Sequence, residues 1–333
     1  MRTTIAAGLA VCTALLLLRA DPASGLDIRR AEVKEFIAHM EGAYGFKKRA
    51  LRKLLKSADS QPAIIDAMSK PAEKAKLWYE YRPIFLNERR IREGTEFWIA
   101  HRQALDEASI KSGVAPEYLA AILGVETYYG RLTGTYRVLD ALVTLSFDYP
   151  PREKFFREEL EQFLLLTRDA HLDPKTLKGS YAGAMGAPQF MPSSYRRFAV
   201  DADGNKHIDL WNDWADIFAS IANFLREHGW EPATPVMAAA NIDPGATFHL
   251  DLKNLDLNET LGALSAQGVQ SEITAAADTP VVLVSAEERD GPAYRLGFKN
   301  FQVITRYNHS ARYAMAVHDL AQAIVAQLPS AAP

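Results

Sequence analysis

Apolar residues recur every three to four positions along most of the chain, the spacing of helices packed on a core. Residues 27–57 fit two amphipathic helices: Val33, Phe36, Ile37 and Met40 mark the first apolar face, while the Lys and Arg of Phe46 to Leu55 read as a solvated face. Ala72 to Leu86 is rich in aromatics, with Trp78, Tyr79, Tyr81 and Phe85. A long helix is expected from about Glu93 to Ser112, starting near Thr95. Another spans Ala115 to Gly130, a short one lies near Leu139 to Leu145, and a strongly helical stretch runs from Arg152 to Ala170. The pattern breaks over 178–199, where Gly179, Gly183 and Gly186 precede Pro188 and Pro192 starts a further helix. A polar loop, 201–209, leads into a helix from about Asp213 to His228.

After residue 231 the composition shifts. Glu259 to Ala266 fits a short helix with Asn258 as its cap, and Val281 to Val284 and Phe301 to Ile304 read as strands. A last helix, Ser310 to Gln327, closes the chain. There are no repeats and no low-complexity segments. The fold class is mainly α (α+β), with a small β-containing insertion before the C-terminal helix.

One position on this pattern is anomalous. In the Ala115–Gly130 helix, Pro116 suits the first turn and Gly130 the end. Leu119, Ile122 and Leu123 form the apolar stripe, and Glu126 comes next on it, four after Ile122 and three after Leu123. A carboxylate on the core side is costly to ionise, so its pKa is expected to rise, and a carboxyl that stays protonated near neutrality is a general acid. The alternative is an ion pair with nearby Arg131, since structural pairs also perturb pKa values.

A second cluster lies in Asp201-Ala202-Asp203-Gly204-Asn205-Lys206-His207-Ile208-Asp209, with oxygen side chains at alternating positions. That is the first half of an EF-hand loop, in which Asp201, Asp203 and Asn205 ligate by side chain and His207 by its carbonyl. Lys206 stands where Gly is usual and Asn212 where a bidentate Glu is usual; Asp209, Asp213 or Asp216 could close the shell. The competing reading is an Asx-rich turn that caps the following helix. Structural use of such a cation is favoured over catalytic use.

Composition narrows the field. The chain has 333 residues, 48% of them hydrophobic, ample for one large core or two modest ones. A formal net charge of -3 offers no strong field for nucleic acid or an anionic membrane. Arg2, the 14-residue apolar run Ile5–Leu18 and the small residues Ala20, Ala23, Ser24 and Gly25 form an export signal, too short to span a bilayer, with the mature chain starting near 21–26. Cys12 is the single cysteine; Leu9-Ala10-Val11-Cys12 loosely resembles a lipoprotein box, but Val11 and the apolar run beyond it disfavour lipid anchoring there. Without Cys12 the mature chain has no thiol, so its stability must come from packing.

Several ordered motifs carry a resemblance. They are Gly124–Arg131, Leu139–Pro150, Gly179–Tyr195 (Gly-Ser-Tyr-Ala-Gly-Ala-Met-Gly-Ala-Pro-Gln-Phe-Met-Pro-Ser-Ser-Tyr), the acidic loop with Leu210-Trp211, and Ile304–Ser310. With them the chain resembles the B-type membrane-bound lytic murein transglycosylase family, over about Trp78 to Val317. The resemblance implies a lysozyme-like helical core that cleaves the β-1,4 bond between MurNAc and GlcNAc of peptidoglycan without water. The MurNAc C6 hydroxyl attacks its own anomeric carbon and leaves a 1,6-anhydro end. Glu126 matches the family's single catalytic acid, acting first as acid and then as base, with no cofactor for catalysis. Ser180 and Gln189 match residues lining the cleft, Tyr81 an aromatic of the glycan groove, and Tyr307, Asn308 and Tyr313 its far wall. The acidic loop matches a structural Ca²⁺ site of Asp201, Asp203, Asn205 and the His207 carbonyl, closed by a later Asp that Asp216 fits one residue further along. One departure is Pro151-Arg152, where the family often has paired Arg, so Arg152 alone remains to meet the peptide stem or lactyl carboxylate.

The implied layout is a signal peptide (1–25), an N-terminal helical region (26–95), a lysozyme-like catalytic core (96–235) containing the EF-hand-like loop 201–216, a small β-containing subdomain (236–306), and a C-terminal segment (307–333) packing back on the core. The implied partners are peptidoglycan glycan strands and other cell-wall enzymes, with no nucleic acid, in the periplasm of a Gram-negative bacterium. A muramidase using water needs the same acid. An inactive glycan-binding scaffold predicts that Glu126→Gln changes nothing, and a calcium-dependent structural protein predicts no glycan affinity.

Overall fold

The computed structural model describes residues 24–69, 76–251 and 254–329. The apolar leader and Cys12 lie outside the described residues. In chain order the helices are α1 (Ala31–Tyr44), α2 (Lys48–Lys56), α3 (Pro62–Ser69), α4 (Trp78–Phe85), α5 (Glu88–Ala100), α6 (Arg102–Ser112), α7 (Pro116–Thr127), α8 (Val138–Phe147), α9 (Glu153–Asp169), α10 (Pro192–Phe198), α11 (Trp214–Glu227), α12 (Leu261–Ala266), α13 (Lys299–Thr305) and α14 (Ala311–Gln327). The strands are β1 (Ser24–Gly25), β2 (Asp59–Ser60), β3 (Tyr136–Arg137), β4 (Lys178–Gly179), β5 (Met237–Ile242), β6 (Glu259–Thr260), β7 (Val269–Ser271), β8 (Pro280–Ser285) and β9 (Tyr294–Gly297).

Helix α7 sits at the centre, packed against α5, α6, α11 and α14. Its residues Leu119 to Leu123 are wholly buried, so it is apolar all round rather than amphipathic. One continuous hydrophobic core runs from Val33 and Leu55 in the N-terminal helices through α7 and α8 to Ile324 in α14. The five-stranded antiparallel sheet, ordered β6-β8-β9-β5-β7, has a small core of its own around Leu264, Val269, Leu296 and Phe298. Strand β8 joins the two. Val281 and Leu283 face the small core while Val282 and Val284 face the large one, the two-residue period of a strand buried on both faces. The sheet is further tied down by Arg295 of β9, which grips the carboxylate of Asp319 on α14 with two hydrogen bonds of 2.6 and 3.0 Å.

Four expectations change. The helix expected over Glu93–Ser112 starts earlier, capped by the Asn87 side chain on Arg90 N–H, and is broken at His101 into α5 and α6. The His101 ring packs between Phe97 and Trp214, 4.7 and 4.6 Å from their centroids, so a tertiary contact accompanies a break that no Gly or Pro announces. Helix α7 ends at Thr127, not Gly130, because Tyr128, Tyr129 and Gly130 all adopt left-handed backbone, with φ of 52°, 61° and 80°. Phe301–Ile304 is not a strand but lies within α13; a short apolar run is compatible with either, and here the Phe301 ring fills the space beside Gly297 where a Cβ would sit. The cap of α12 is Thr260, whose hydroxyl accepts the Ala263 N–H at 3.2 Å, rather than Asn258.

Candidate active site and acidic loop

Glu126 lies in the last turn of α7, half-buried. The apolar stripe that points it inward ends where α14 packs against α7. The buried Tyr313 of α14 donates its hydroxyl proton to Glu126 Oε1 at 2.7 Å. Tyr307, just before α14, stacks on Tyr313 with ring centroids 6.4 Å apart and an interplanar angle of 11°, and its own hydroxyl donates to the Pro188 carbonyl at 2.6 Å. Burial, with the Glu126 charge adding to it, pushes both phenols well above their ordinary pKa, so both remain proton donors across the accessible pH range. Tyr81 is buried on α4 between Trp78 and Phe85, with ring centroids 6.3 and 5.2 Å away, and α4 packs against α14.

Arg131 is engaged elsewhere. Its guanidinium pairs with Glu93, whose other oxygen takes Arg89 Nε at 2.7 Å. Arg89 first, then Tyr128 and Arg131, hold the Glu93 carboxyl down at about 2. The alternative in which Arg131 neutralises Glu126 is therefore not the arrangement found.

The glycine-rich segment forms the adjoining floor. Buried Met185 bridges to both Gly179 and Phe190. Ser180 Oγ accepts the amides of Ala182 and Ala184 at 3.3 and 3.1 Å, which closes the turn and leaves its proton to donate. Gln189, with left-handed φ of 53°, donates its side-chain nitrogen to the carbonyls of Thr133 and Gly186 at 3.1 and 2.9 Å. The Gln189 amide is thus held in place by main chain, with its oxygen as the remaining acceptor. Two expected residues are not drawn into the cluster. Arg152 is exposed with its guanidinium over the Phe155 and Phe156 rings, 4.4 and 5.1 Å from their centroids. Asn308 is exposed in the turn before α14, its carbonyl accepting Ser310 N–H at 2.7 Å.

In the acidic loop, Asp201 accepts the amides of Gly204 and Lys206, each at 2.8 Å, Asp203 accepts that of Asn205 at 3.0 Å, and Asn205 that of His207 at 2.7 Å. Lys206 takes the left-handed φ of 68° that glycine normally supplies at this point of an EF-hand loop. Of the three candidates to close the shell, Asp209 caps Trp211 and Asn212, and Asp213 caps α11. Asp216 alone joins Asp201 and Asp203, with oxygens of the three within 4.8 Å of one another. Asp216 is fully buried, and burial raises its carboxyl pKa. Three converging carboxylates, one of them buried, suit a hard cation bound by oxygen.

The loop also reaches Glu126 through residues that stand in the sequence motifs without a role of their own. Asp216 Oδ2 accepts Asp209 N–H at 2.9 Å; in the next residue, the Leu210 carbonyl accepts Ala187 N–H at 2.7 Å. The Ala187 carbonyl accepts the buried Thr127 hydroxyl at 2.8 Å, and Thr127 is the neighbour of Glu126. Gly186 permits this approach, because a Cβ there would lie 2.4 Å from the Leu210 oxygen.

Residues 29–322 match the family described as Transglycosylase SLT domain. The chain is 39% identical over 301 residues to membrane-bound lytic murein transglycosylase B of Escherichia coli (strain K12), covering 87% of this chain and 82% of that one. It is similar to the soluble lytic transglycosylase SltB1 from Pseudomonas aeruginosa, at 45% identity and a TM-score of 0.82, over 89% of this chain and 98% of that one. The Escherichia coli lytic transglycosylase Slt35 in complex with calcium matches at 38% identity and a TM-score of 0.82, over 91% and 96% of the two chains. SltB3 from Pseudomonas aeruginosa in complex with NAG-anhNAM-pentapeptide matches at 27% identity and a TM-score of 0.77, over 91% and 81%. The chain belongs to the transglycosylase SLT domain family and is a lytic murein transglycosylase.

Proposed function

We propose that Glu126 is the acid and then the base in a cleavage that consumes no water. The observation that carries this reading is the Tyr313 hydroxyl on Glu126 Oε1 at 2.7 Å, inside an aromatic wall. With Oε1 held, Oε2 delivers the proton to the glycosidic oxygen as the bond from MurNAc C1 breaks. The carboxylate then takes the proton of the C6 hydroxyl as O6 bonds to C1. The products are a free GlcNAc 4-hydroxyl and a 1,6-anhydro-MurNAc end, and Glu126 is protonated again. One carboxylate suffices because the nucleophile is tethered to the reacting carbon, so positioning replaces activation of a free water.

Ser180, with a proton to donate, and Gln189, with its oxygen to accept, are suited to sugar hydroxyl and acetamido groups. Tyr81, Tyr307 and Tyr313 form the wall, exposed Asn308 meets glycan from the turn beside Tyr307, and Arg152, outside this cluster, meets the peptide stem or lactyl carboxylate. Asp201, Asp203, Asn205, the His207 carbonyl and Asp216 hold a structural Ca²⁺; the similar Slt35 was solved with calcium. The 96–235 core carries the acid and the 307–333 segment returns the wall. No described helix is long and apolar enough to cross a membrane, and the leader directs the chain to the periplasm.

Mass spectrometry of digested peptidoglycan tests the reaction. Anhydro ends, about 18 Da lighter than reducing ends by one water, are expected from the parent protein and absent with Glu126→Gln, which should still bind glycan strands. Reducing ends throughout would make the protein a hydrolase, and turnover by Glu126→Gln would remove Glu126 from the mechanism.

A further inference from the structure

Arg90, on α5, makes an unusual set of contacts for a surface cation. It is half-buried, and its Nε is buried with no hydrogen-bond partner among the described residues. Its Nη1 donates to the Gly124 carbonyl at 2.7 Å. That carbonyl belongs to the last turn of α7, where intrahelical partners run out. Its guanidinium carbon lies 4.5 Å from the centroid of Tyr128 and 5.2 Å from that of Phe85. Its own carbonyl accepts the Tyr129 hydroxyl at 2.9 Å. Glu93, three residues on, is paired with Arg89 and Arg131 and not with Arg90. A charge half-removed from water without a carboxylate is costly, so the stacking and the carbonyl must compensate.

What these contacts hold is a strained turn directly after Glu126. Tyr128 and Tyr129 are both left-handed, with φ of 52° and 61°, a conformation that side chains bearing a Cβ rarely adopt in succession. Tyr129 is locked in a niche that only glycines permit: a Cβ at Gly94 would lie 2.3 Å from its hydroxyl oxygen, and one at Gly124 would lie 2.8 Å from its ring. Arg90 touches each part, with its side chain on Tyr128 and Gly124 and its main chain on Tyr129. Glu126 lies between Gly124 and Tyr128 in this clamp.

We propose that Arg90 is a positioning residue for Glu126, clamping the left-handed turn at the end of α7 so that the carboxyl keeps its orientation toward the glycosidic oxygen. This rests on Glu126 being the acid. A displacement on the ångström scale at a reacting group costs on the order of a hundredfold in rate. A helix-end cation serving stability alone would instead shift the melting temperature and leave turnover unchanged below it.

The test compares Arg90→Met, which keeps an apolar stem and removes the guanidinium, with Arg90→Lys, which keeps charge but loses the planar, forked group. Steady-state kinetics on solubilised glycan strands are measured well below each variant's melting temperature. Arg90→Met should lower kcat by roughly 10- to 100-fold with KM within about threefold. Arg90→Lys should recover less than about a tenth of the lost rate. Amide exchange of Tyr129, Gly130 and Leu132 should quicken in both while that of α14 is unchanged. If Arg90→Met does not fold, Arg90→Lys and Tyr129→Phe, which deletes only the hydroxyl bonded to the Arg90 carbonyl, carry the same readouts. A kcat within twofold of the parent, full rescue by Lys, or a loss confined to KM overturns the clamp. Glu126→Gln run alongside separates the premises: if it turns over, the assignment of the acid is wrong, whereas an inactive Glu126→Gln beside a fully active Arg90→Met overturns the clamp alone.

Discussion

Glu126 and Tyr313 are 187 positions apart in the chain and 2.7 Å apart in space. The period of α7 marks Glu126 as an inward carboxyl, but nothing local to residue 313 names its partner, because that contact depends on how α14 crosses α7. The phenol hydrogen bond favours the charged form of the carboxyl, since the hydroxyl can only donate to it. Tyr313→Phe removes this bond and leaves the ring in place. Net hydrogen bonds to charged groups contribute about 1.5–3 kcal/mol, so turnover should fall by roughly tenfold or more as the carboxyl loses its fixed orientation. The sign of the pH effect follows from the chemistry. The acid works protonated, and loss of a donor to its charged form favours that protonated state. The alkaline limb of the rate profile should therefore move to higher pH. A pH–rate profile of Tyr313→Phe on solubilised glycan checks both, and a limb that moves to lower pH would mean that Tyr313 stabilises the neutral acid instead.

At the scale of elements, the acidic loop shows what sequence reveals and what it does not. Alternating oxygen side chains single out Asp201, Asp203 and Asn205 as candidate ligands, because loop spacing is local. The carboxylate that could close the set is not local: the fold, with Asp213 capping α11, leaves Asp216 beside Asp201 and Asp203. The same divide holds elsewhere. Helix α9 is legible from Phe156, Leu160, Phe163 and Leu164, whereas the break at His101 is not, since it accompanies packing of His101 on Trp214 in a distant element. Two outcomes follow for the loop. Lys206 carries a left-handed φ of 68°, so Lys206→Gly should relieve strain and stabilise the protein by about 1 kcal/mol, read as a raised midpoint in thermal melts. Calcium at a hundredfold excess over its Kd should stabilise the parent by about 2.7 kcal/mol. Chelation should reverse that shift, and Asp216→Asn should abolish it. A melting curve insensitive to both calcium and chelator would leave the loop as a self-capped turn.

Across the whole molecule, two hydrogen bonds are among the contacts of the described residues that hold α7 to α14. Glu126 meets Tyr313 in one, and in the other the Tyr118 hydroxyl lies 2.9 Å from Nδ1 of His318. The next residue, Asp319, takes Arg295 from the sheet and Arg82 from α4, at 2.6 and 3.6 Å, so the helix that carries the aromatic wall also anchors the small subdomain. Burial dominates the environment of His318 and lowers its pKa from 6.5 to about 4. The unfolded chain therefore takes up this proton first, and stability present above about pH 6.5 is lost progressively as pH falls toward about 4. A shift of this size amounts to on the order of 3 kcal/mol over the full window and about 2 kcal/mol between pH 7 and pH 5. Glu117 and Glu159, both raised by burial, work in the opposite direction as they protonate, so the net slope of the parent alone does not isolate the histidine. His318→Gln does, because it keeps a polar partner for Tyr118 and cannot titrate. In urea melts the variant should lose about 2 kcal/mol less than the parent between pH 7 and pH 5. Equal losses in the two proteins would mean that the α7–α14 contact opens in acid before His318 takes up its proton.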